Sequence, residues 1–293
     1  MGTFHEGELE VQRQVGVAAN AERIGRSIHL EIPEIARRFA AEQRFVLVGA
    51  ADAEGRVWAT LLQGERGFVV AASPAVIRIA ARPGPDDPLA AALAEETDIG
   101  LLLIDPATRR RMRINGRSRP TPNGLDVRTR EVYANCPKYI HAREVRLAPR
   151  PGEPAHPVTR GTALTAHQVA WVRGADTLFL ASRHPAAGAD VSHRGGPEGF
   201  VTLTAPDRLI LPDYAGNMMF NTLDNIAAHP EVGLLFVNFD SGNMLQLSGR
   251  ARIDWDAAAR AAMPGAERVV EVMIDAVVEA RVAPRTDSVH PSG

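Results

Sequence analysis

Cysteine is almost missing from this chain of 293 residues, in which Cys136 is the single example. One cysteine forms no intramolecular disulfide and no CxxC metal or redox pair, so the composition favours a reducing, cytoplasmic environment. Long apolar runs are missing as well. The longest, at residues 45–51, 99–104 and 232–237, are far shorter than the ~20 residues that cross a bilayer. Because the acidic N-terminus is also untypical of a secretory signal, the sequence predicts a cytoplasmic protein with no membrane partner.

The chain also lacks an excess of charge of either sign. Its 33 basic and 35 acidic residues leave a formal net charge of -2, which gives no overall attraction to nucleic acid. The most basic run, RRRMR at residues 109–113, alternates with Met112 and Ile114. Such alternation is typical of a strand, so Arg111 and Arg113 are expected on its outer face rather than in a nucleic-acid patch. No nucleic-acid partner is predicted.

Motifs of the common enzyme classes are missing too. The sequence contains no HExxH, GxSxG, GxGxxG or GxxxxGKS/T, and its histidines show no metal-ligand spacing. Metallohydrolase, serine hydrolase, Rossmann and P-loop functions therefore lose their usual support, and no metal site is predicted. The sequence assigns no base to Cys136, so a structural or incidental thiol is favoured over a nucleophile.

What the sequence does contain is an internal repeat. Residues 99–119 align without a gap with residues 232–252, at an offset of 133 positions. The identical positions include two pairs of glycines: Gly100 with Gly233, and Gly116 with Gly249. Similar segments upstream keep the same order and nearly the same spacing. The chain, about twice as long as a usual domain, is therefore predicted to consist of two related halves.

Short segments rich in β-branched and aromatic residues, separated by turn signals, predict strands in both halves. Each half has one predicted helix between strands: residues 88–96 in the first, with Asp87 as N-cap, and residues 221–228 in the second. The valine-rich stretch 268–279 is predicted as a further strand. Antiparallel hairpins around one helix indicate a small β-barrel in each half. The predicted fold class is mainly β with helices, built as two tandem barrels.

The composition also predicts the domain limits. Residues 45–148 form the first half and residues 161–281 the second, joined by a proline-rich linker at 149–160. Residues 1–44 are expected to be largely helical, and residues 282–293 to be a flexible tail.

The segment after the predicted strand that ends at Leu211 is the first candidate site. A turn leads into the helix at Asn221, where free backbone N–H groups and the helix dipole suit a phosphate. Asn217, Asn221 and Thr222 add side-chain donors, although simple helix capping explains the same residues. At the equivalent place the first half has two aspartates, the second of them Asp87, which would repel a phosphate. Only the second half is therefore expected to bind one.

Two further segments carry groups that bind ligands. Residues 190–196, DVSHRGG, combine Arg194 with adjacent glycines that let a flat ligand approach, but a hairpin turn is an equal alternative. Residues 135–143, NCPKYIHAR, follow the first barrel and have no counterpart in the second half. A helix start at Pro137 would leave Lys138 either as a ligand contact or as an ordinary surface residue.

In this order the segments resemble the pyridoxamine 5'-phosphate oxidase-like, FMN-binding split-barrel superfamily. The stretches that carry the resemblance are NCPK (135–138), SHRGGP (192–197), GFV (199–201), LPDYAGN (211–217), NTLDNI (221–226), HPEVGLLF (229–236) and SGRA (248–251). The resemblance covers roughly residues 40–145 and 170–255.

The resemblance implies a split-barrel fold, usually dimeric, with FMN in a cleft between two barrels. Because both barrels are fused in this chain, an internal pseudo-dimer would build one complete cleft, and the mirror-image cleft should be empty. The residues implied at the complete cleft are Ser192, His193, Arg194, Asp213, Asn217, Asn221 and Thr222 from the second half, and Arg111, Lys138 and Tyr139 from the first. Relatives of the oxidase type often have Arg or Lys beside the flavin phosphate, where this chain has Asn221 and Thr222.

The function implied is an FMN-dependent oxidoreductase acting on a small molecule, with Lys138, Tyr139 or His193 as candidate catalytic residues. The flavin would carry the redox chemistry, so no protein acid or base is obligatory. The alternatives are a non-enzymatic flavin-binding or sensory module, and a related barrel that uses F420 or haem. Formation of a homodimer is a further expectation, because barrels of this family pair readily.

Overall fold

A computed structural model describes residues 28–145, 158–216 and 221–281. The predictions for the first 27 residues, for residues 149–157 of the linker, for Asn217 and for the tail at 282–293 lie outside these residues. None of the helices described is long and apolar enough to cross a membrane.

The described part of the first half contains one α-helix, one 3-10 helix and seven strands. In chain order they are α1 (Glu34–Glu42), β1 (Phe45–Ala51), β2 (Val57–Gln63), β3 (Val69–Ser73), β4 (Val76–Ile79), the 3-10 helix (Ala92–Ala94), β5 (Thr97–Asp105), β6 (Arg110–Thr121) and β7 (Gly124–Ala134).

The described part of the second half contains eight strands and three α-helices. In chain order they are β8 (Val158–Gly161), α2 (Ala166–Arg173), β9 (Thr177–His184), β10 (Gly188–Gly195), β11 (Thr202–Ala205), β12 (Arg208–Tyr214), α3 (Asn221–Ala228), β13 (Glu231–Val237), β14 (Met244–Asp254), α4 (Ala257–Ala261) and β15 (Ala266–Ala280).

The two halves have the same sheet topology. The first sheet has the strand order β2-β1-β5-β6-β7-β4-β3, and the second has the order β10-β9-β13-β14-β15-β12-β11. Each strand of the first half thus has its counterpart in the second, and paired strands are antiparallel in both. One additional strand, β8, pairs with β15. This architecture confirms the predicted fold class of two tandem, mainly β barrels.

Two of the repeated glycines lie where the halves touch. A Cβ atom at Gly100 would lie 2.6 Å from the Cα of Asp190 in β10, and a Cβ atom at Gly233 would lie 2.6 Å from the Cα of Trp58 in β2. Neither position accepts a larger residue unless the backbone of the other half moves. The reciprocal contacts indicate a pseudo-twofold relation between the halves, which explains why these glycines occur in both.

Three apolar clusters stabilise the fold. One fills the first barrel and includes Leu101, and another fills the second and includes Leu234. The third lies between the barrels and includes Leu47, Phe179 and Leu235. Each fully buried leucine or phenylalanine in such a cluster stabilises the protein by roughly 1.5–3 kcal/mol. The outer face of each barrel is therefore partly buried by the other barrel.

Several sequence-based assignments agree with the structure. The predicted helix at Asn221–Ala228 is α3, and the stretch at 268–279 lies within strand β15. The strand expected to end at Leu211 continues to Tyr214.

Three other assignments were wrong. Residues 88–96 contain turns and a 3-10 helix, Ala92–Ala94, instead of an α-helix, and strand β5 begins directly after them at Thr97. Residues 190–196 are not a hairpin turn, since most of them belong to β10, which pairs with β9 along its whole length. The chain after Pro137 forms a turn instead of a helix.

Candidate functional site

A polar cleft with a volume of about 160 Å³ lies between the two halves. The first half contributes strand β6 and the segment after β7, and the second half contributes β10, the end of β12, the beginning of α3 and the beginning of β15. Its charged and polar side chains include Arg111, Arg113, His193, Arg194, Asp213, Thr222 and Arg268. Residues far apart in the sequence thus meet at this interface.

Strand β6 places two of these arginines side by side. Met112 and Ile114 point into the core of the first barrel, so Arg111 and Arg113 point away from it. The sequence predicted this alternation, but the outer face of the strand is not at the surface. The second half covers it, and the Arg113 side chain is only 12% exposed. The basic run therefore belongs to an internal cleft.

Arg113 is paired with a carboxylate of the other half. Its Nη1 atom donates to both carboxylate oxygens of Asp190, at 3.2 and 3.1 Å. Burial lowers the pKa of Arg113, but the nearby charge of Asp190 outweighs burial, so the pKa lies above its ordinary value. This ion pair links β6 of the first half to β10 of the second.

Arg111 has no carboxylate partner in the part of the chain that the structure describes. Its Nη1 atom donates to Nδ1 of His193 at 3.1 Å, so Nδ1 is an acceptor and the uncharged ring carries its proton on Nε2. Burial, together with the charges of Arg113 and Arg194, lowers the pKa of Arg111 to about 10. Arg111 is therefore still a cation at neutral pH.

The same surroundings keep His193 uncharged. The residue is 7% exposed, and burial, followed by the charges of Arg111 and Arg194, lowers its pKa to about 3. A neutral imidazole can accept from Arg111, whereas a protonated one would repel it. The Arg111–His193 contact is thus stable throughout the physiological pH range.

Asp213 pairs with two arginines at the opposite side of the cleft. Its carboxylate oxygens accept from Nη1 of Arg194 at 2.7 Å and from Nε of Arg268 at 2.8 Å. Arg268 also donates to Glu267 at 2.6 Å. Since Arg111 adds a further cation without a carboxylate, the cleft keeps a net positive charge.

Three arginine donors in the cleft lack an acceptor. The Nε atoms of Arg111, Arg113 and Arg194 are buried and make no hydrogen bond within the described ranges. Buried donors are hydrogen-bonded in nearly all native proteins, so three on neighbouring side chains indicate a site for an additional acceptor. Anionic oxygens, such as those of a phosphate, form strong charge-assisted bonds with guanidinium groups. The cleft can therefore bind an anion.

Helix α3 begins at the same cleft. The hydroxyl of Thr222 is buried and donates to Oγ of Ser192 at 3.3 Å, and it lies 3.5 Å from a carboxylate oxygen of Asp190. Ser192 in turn donates to the carbonyl of Leu180 at 3.2 Å. This chain of hydrogen bonds fixes the first turn of the helix, whose N–H groups and dipole favour an anion nearby.

A second, larger cavity of about 730 Å³ adjoins the cleft. Tyr139 and Tyr214 line both spaces, and their rings stack with centroids 5.2 Å apart and an interplanar angle of 26°. The hydroxyl of Tyr139 donates to the carbonyl of Ala215 at 3.2 Å. This pair of rings from the two halves separates the polar cleft from the larger cavity.

The structure brings most of the predicted cofactor-binding residues together. Those that line the cleft are Arg111, Tyr139, His193, Arg194, Asp213, Asn221 and Thr222. Ser192 is buried behind Thr222, and Lys138 is exposed and lines neither cavity. Asn217 lies outside the described residues. The binding role of each of these residues stays a prediction.

Other site residues were overlooked by the sequence reasoning. The one sequence signal for Arg113 was that it shares a strand face with Arg111. Its partner Asp190 lies in a segment that was interpreted as a turn or a ligand-binding loop. Arg268 opens an apolar strand, and only the tertiary structure reveals that it meets Asp213. His141 of the larger cavity stood in a quoted motif without a role of its own.

Residues 164–290 of the chain match the pyridoxamine 5'-phosphate oxidase family. Similar solved structures include a candidate pyridoxamine 5'-phosphate oxidase from Lactobacillus delbrueckii (20% identity, 40% of this chain and 94% of that chain, TM-score 0.34). They also include HupZ from Group A Streptococcus (11% identity, 41% and 100%, TM-score 0.33) and HutZ, a heme storage protein from Vibrio cholerae (10% identity, 40% and 95%, TM-score 0.29). No curated protein matches the chain. The family match confirms the predicted resemblance for the second half.

Proposed function

We propose, for a chain whose second half belongs to the pyridoxamine 5'-phosphate oxidase family, that the cleft between the halves binds FMN and that the protein is an FMN-dependent oxidoreductase acting on a small molecule. The first half is part of this proposal because it repeats the topology of the second and supplies Arg111 and Arg113 to the cleft. Fold alone does not select an activity, so the proposal rests on the chemistry of the cleft.

The observation that carries the proposal is the set of three buried Nε donors without an acceptor, on Arg111, Arg113 and Arg194. The phosphate of FMN has the negative charge and the oxygen acceptors that these donors require. Asn221 and Thr222 stand where relatives often have a basic residue. In this chain the arginines of β6 and β10 would supply the positive charge instead.

The size of the cleft limits which part of FMN it can hold. Its volume of about 160 Å³ lies below the roughly 300–1,000 Å³ of most ligand pockets, so it fits the phosphate end rather than the whole cofactor. The rest of the molecule would extend toward Tyr139 and Tyr214, which border the larger cavity.

A bound flavin would supply hydride transfer, and the chain would supply binding, orientation and electrostatics. Arg111 and Arg194 would hold the phosphate and thereby orient the flavin, because guanidinium groups form charge-assisted hydrogen bonds with phosphate oxygens. His193 would present an uncharged N–H donor on Nε2, since its Nδ1 accepts from Arg111.

The haem alternative meets an obstacle at His193. An axial ligand needs an unprotonated nitrogen, but Nδ1 of this ring accepts from Arg111 and Nε2 carries the proton. Ligation through this residue would therefore require the tautomer to change and the Arg111 contact to break. An F420 cofactor is distinguished from FMN by its absorption spectrum, and a non-enzymatic flavin module by its lack of turnover.

The test begins with the absorption spectrum of the purified protein and mass analysis of any ligand released by heat. FMN is then titrated into the ligand-free protein while its fluorescence is followed. The Arg111→Gln variant should bind FMN about 10- to 100-fold more weakly, because a hydrogen bond to a charged group contributes about 1.5–3 kcal/mol. The matched control is Arg110→Gln, which removes the exposed arginine next to it in the same strand.

A colourless protein that does not bind added FMN would overturn the proposal, and so would equal FMN affinities of Arg111→Gln and the wild type. Reduction of bound FMN by NADH or NADPH, followed as bleaching of the flavin absorption under anaerobic conditions, tests the oxidoreductase activity. Bound flavin that is reduced by neither donor and by no added substrate would favour the non-enzymatic module.

A further inference from the structure

The larger cavity beside the cleft has the volume of a small-molecule site. At about 730 Å³ it lies well within the roughly 300–1,000 Å³ typical of ligand pockets. Its walls combine aromatic and apolar groups, such as Tyr139 and Ile140, with two polar side chains, Arg109 and His141. Loops of both halves contribute, so the cavity depends on the same fusion of barrels as the cleft.

Backbone strain is concentrated at this cavity. Among the described residues, Arg109 (φ 55°) and Tyr139 (φ 64°) are the two non-glycine residues with a positive φ, and both line the cavity. Left-handed backbone is unfavourable for residues with a Cβ atom, and it persists where the surroundings or the function require it. Both left-handed residues therefore belong to the wall of one cavity.

The internal repeat shows that the positive φ at Arg109 belongs to the turn itself. In the first half, Asp105 Oδ1 accepts from the backbone N–H groups of two residues that follow it, at 3.1 and 3.4 Å. In the second half, Asn238 forms the same turn, with distances of 3.1 and 2.9 Å. The residue equivalent to Arg109 is Gly242, with φ 77°. The turn thus takes a left-handed residue in both halves, a conformation that glycine adopts freely and that costs free energy for an arginine.

Tyr139 is held in its conformation by a contact with the other half. A Cβ atom at Gly195 would lie 2.2 Å from the carbonyl oxygen of Tyr139, so only glycine allows the two backbones to pack this closely. Gly195 at the end of β10 thus accommodates the chain's own Tyr139 segment. This contact presents the Tyr139 ring, 40% exposed, to the cavity.

His141 offers a hydrogen-bond acceptor in the same wall. Its Nε2 atom lies 2.8 Å from the carbonyl oxygen of Gly196, and because a carbonyl only accepts, Nε2 carries the proton. In the uncharged ring Nδ1 then keeps its lone pair. A ligand that donates an O–H or N–H can bind to this atom.

We propose that the larger cavity is the substrate pocket of this protein and that it binds a planar aromatic carboxylate with a hydroxyl or amine donor. The aromatic ring packs against Tyr139, the carboxylate pairs with Arg109, and the donor group binds Nδ1 of His141. The term substrate rests on the function proposed above, whereas the binding of this class of molecule does not.

The experiment measures binding of three probes to FMN-free and FMN-loaded protein by isothermal titration calorimetry. 4-Hydroxybenzoate has all three features, 4-hydroxybenzyl alcohol lacks the charge, and cyclohexanecarboxylate lacks both the flat ring and the donor. We expect 4-hydroxybenzoate to bind roughly five- to tenfold more tightly than either of the others, the effect of one hydrogen bond or ion pair.

Variants of the wall test the assignment of each contact. Arg109→Gln and His141→Phe should each weaken 4-hydroxybenzoate binding roughly five- to tenfold, while Arg110→Gln, from the exposed neighbour, should leave it unchanged. Both wall residues are exposed, so the variants should fold, which is checked by their thermal unfolding midpoints. Equal binding of all three probes, or wild-type affinity in both wall variants, would overturn the pocket.

Binding of FMN at the cleft and binding of the probes in the larger cavity can be tested separately. Arg111→Gln should lose FMN affinity and retain the probe affinity of the FMN-free wild type, whereas His141→Phe should do the reverse. If FMN does not bind but the probes follow the expected order, the substrate pocket stands as a binding site and the flavin function fails. If FMN binds and the probes show no preference, the pocket fails alone.

Discussion

Arg113 in β6 and Gln246 in β14 occupy equivalent positions of the internal repeat, one at each of two clefts between the halves. Arg113 meets the carboxylate of Asp190 in the polar cleft, with its Nε atom left without an acceptor among the described residues. Gln246 lies at the mirror-image cleft, where its Nε2 atom donates to the carbonyl of Ala59 at 3.0 Å and to the carboxylate of Asp87 at 3.3 Å.

Asp87 uses the donors of the mirror-image cleft. Its carboxylate accepts from the hydroxyl of Thr60, from Gln246 and from the backbone N–H of Leu89 at 2.8 Å. Burial raises the pKa of Asp87 even though these hydrogen bonds act in the opposite direction. A carboxyl group of the chain itself therefore stands beside the position in the first half that is equivalent to the start of helix α3 in the second half.

A duplicated fold can keep two related interfaces and still differ in the charge of each. In the mirror-image cleft the donors are matched by Asp87, so an added anion would have to compete with an internal one. In the polar cleft, cations outnumber carboxylates, and Arg111 has a neutral histidine as its partner. The halves thus share their strand order while their electrostatics have diverged.

The largest effect is expected from Arg113→Met compared with Gln246→Met. The first variant leaves the buried charge of Asp190 without its ion-pair partner, which should destabilise the protein by about 3–5 kcal/mol. The second removes neutral hydrogen bonds and should cost about 1 kcal/mol. Urea denaturation at pH 7 measures both free energies of unfolding. Equal losses would mean that the two positions are electrostatically alike, contrary to the comparison.

The next largest effect is expected in the pH dependence of stability, which should show the lowered pKa of His193. Its pKa is about 3 in the folded protein and about 6.5 in the unfolded chain, so between these values only the unfolded chain binds the proton. Stability therefore falls as the pH decreases through this window, by about 2 kcal/mol at pH 5. His193→Gln keeps an acceptor for Arg111 and should lose this dependence.

Urea denaturation at pH 7 and pH 5 checks this prediction, with His167→Gln as the control for an exposed histidine. The control should retain the full slope of the wild type, because the other titrating groups are common to all three proteins. A His193→Gln variant with the wild-type slope would show that folding does not lower the pKa of His193.

Asp87, at the mirror-image cleft, should change the stability with pH in the opposite direction. Its folded pKa is raised by burial, so the folded protein binds the proton more tightly than the unfolded chain, and the stabilisation is lost as the pH rises through the raised value. The stability of Asp87→Asn relative to the wild type should therefore increase from pH 4 to pH 7. Asp86→Asn, at the exposed neighbour, is the matched control and should show a smaller change. A relative stability that decreases with pH would contradict the raised pKa of Asp87.

The sequence predicted those features that depend on local order. The repeat, the alternation of β6 and the limits of α3 each follow from patterns within one segment. The burial of Arg113 does not, because the surface that covers it belongs to the other half of the chain. The contact of Asp87 with Gln246, 159 positions away, does not follow from local patterns either. Contacts between the halves, and not local propensity, decide the clefts.

The smallest effect is expected at the turn where Arg109 and Gly242 are equivalent. Arg109→Gly removes a left-handed non-glycine residue, which costs roughly 1–2 kcal/mol, but adds backbone freedom to the unfolded chain, so a net stabilisation of about 0.5 kcal/mol should result. Gly242→Arg, the reciprocal change, should destabilise by a similar amount, and both are measured by urea denaturation. If Arg109→Gly is more stable and binds 4-hydroxybenzoate less tightly, the arginine serves the cavity at the expense of the fold. If instead it is less stable, Arg109 makes a structural contact that its glycine counterpart does not need.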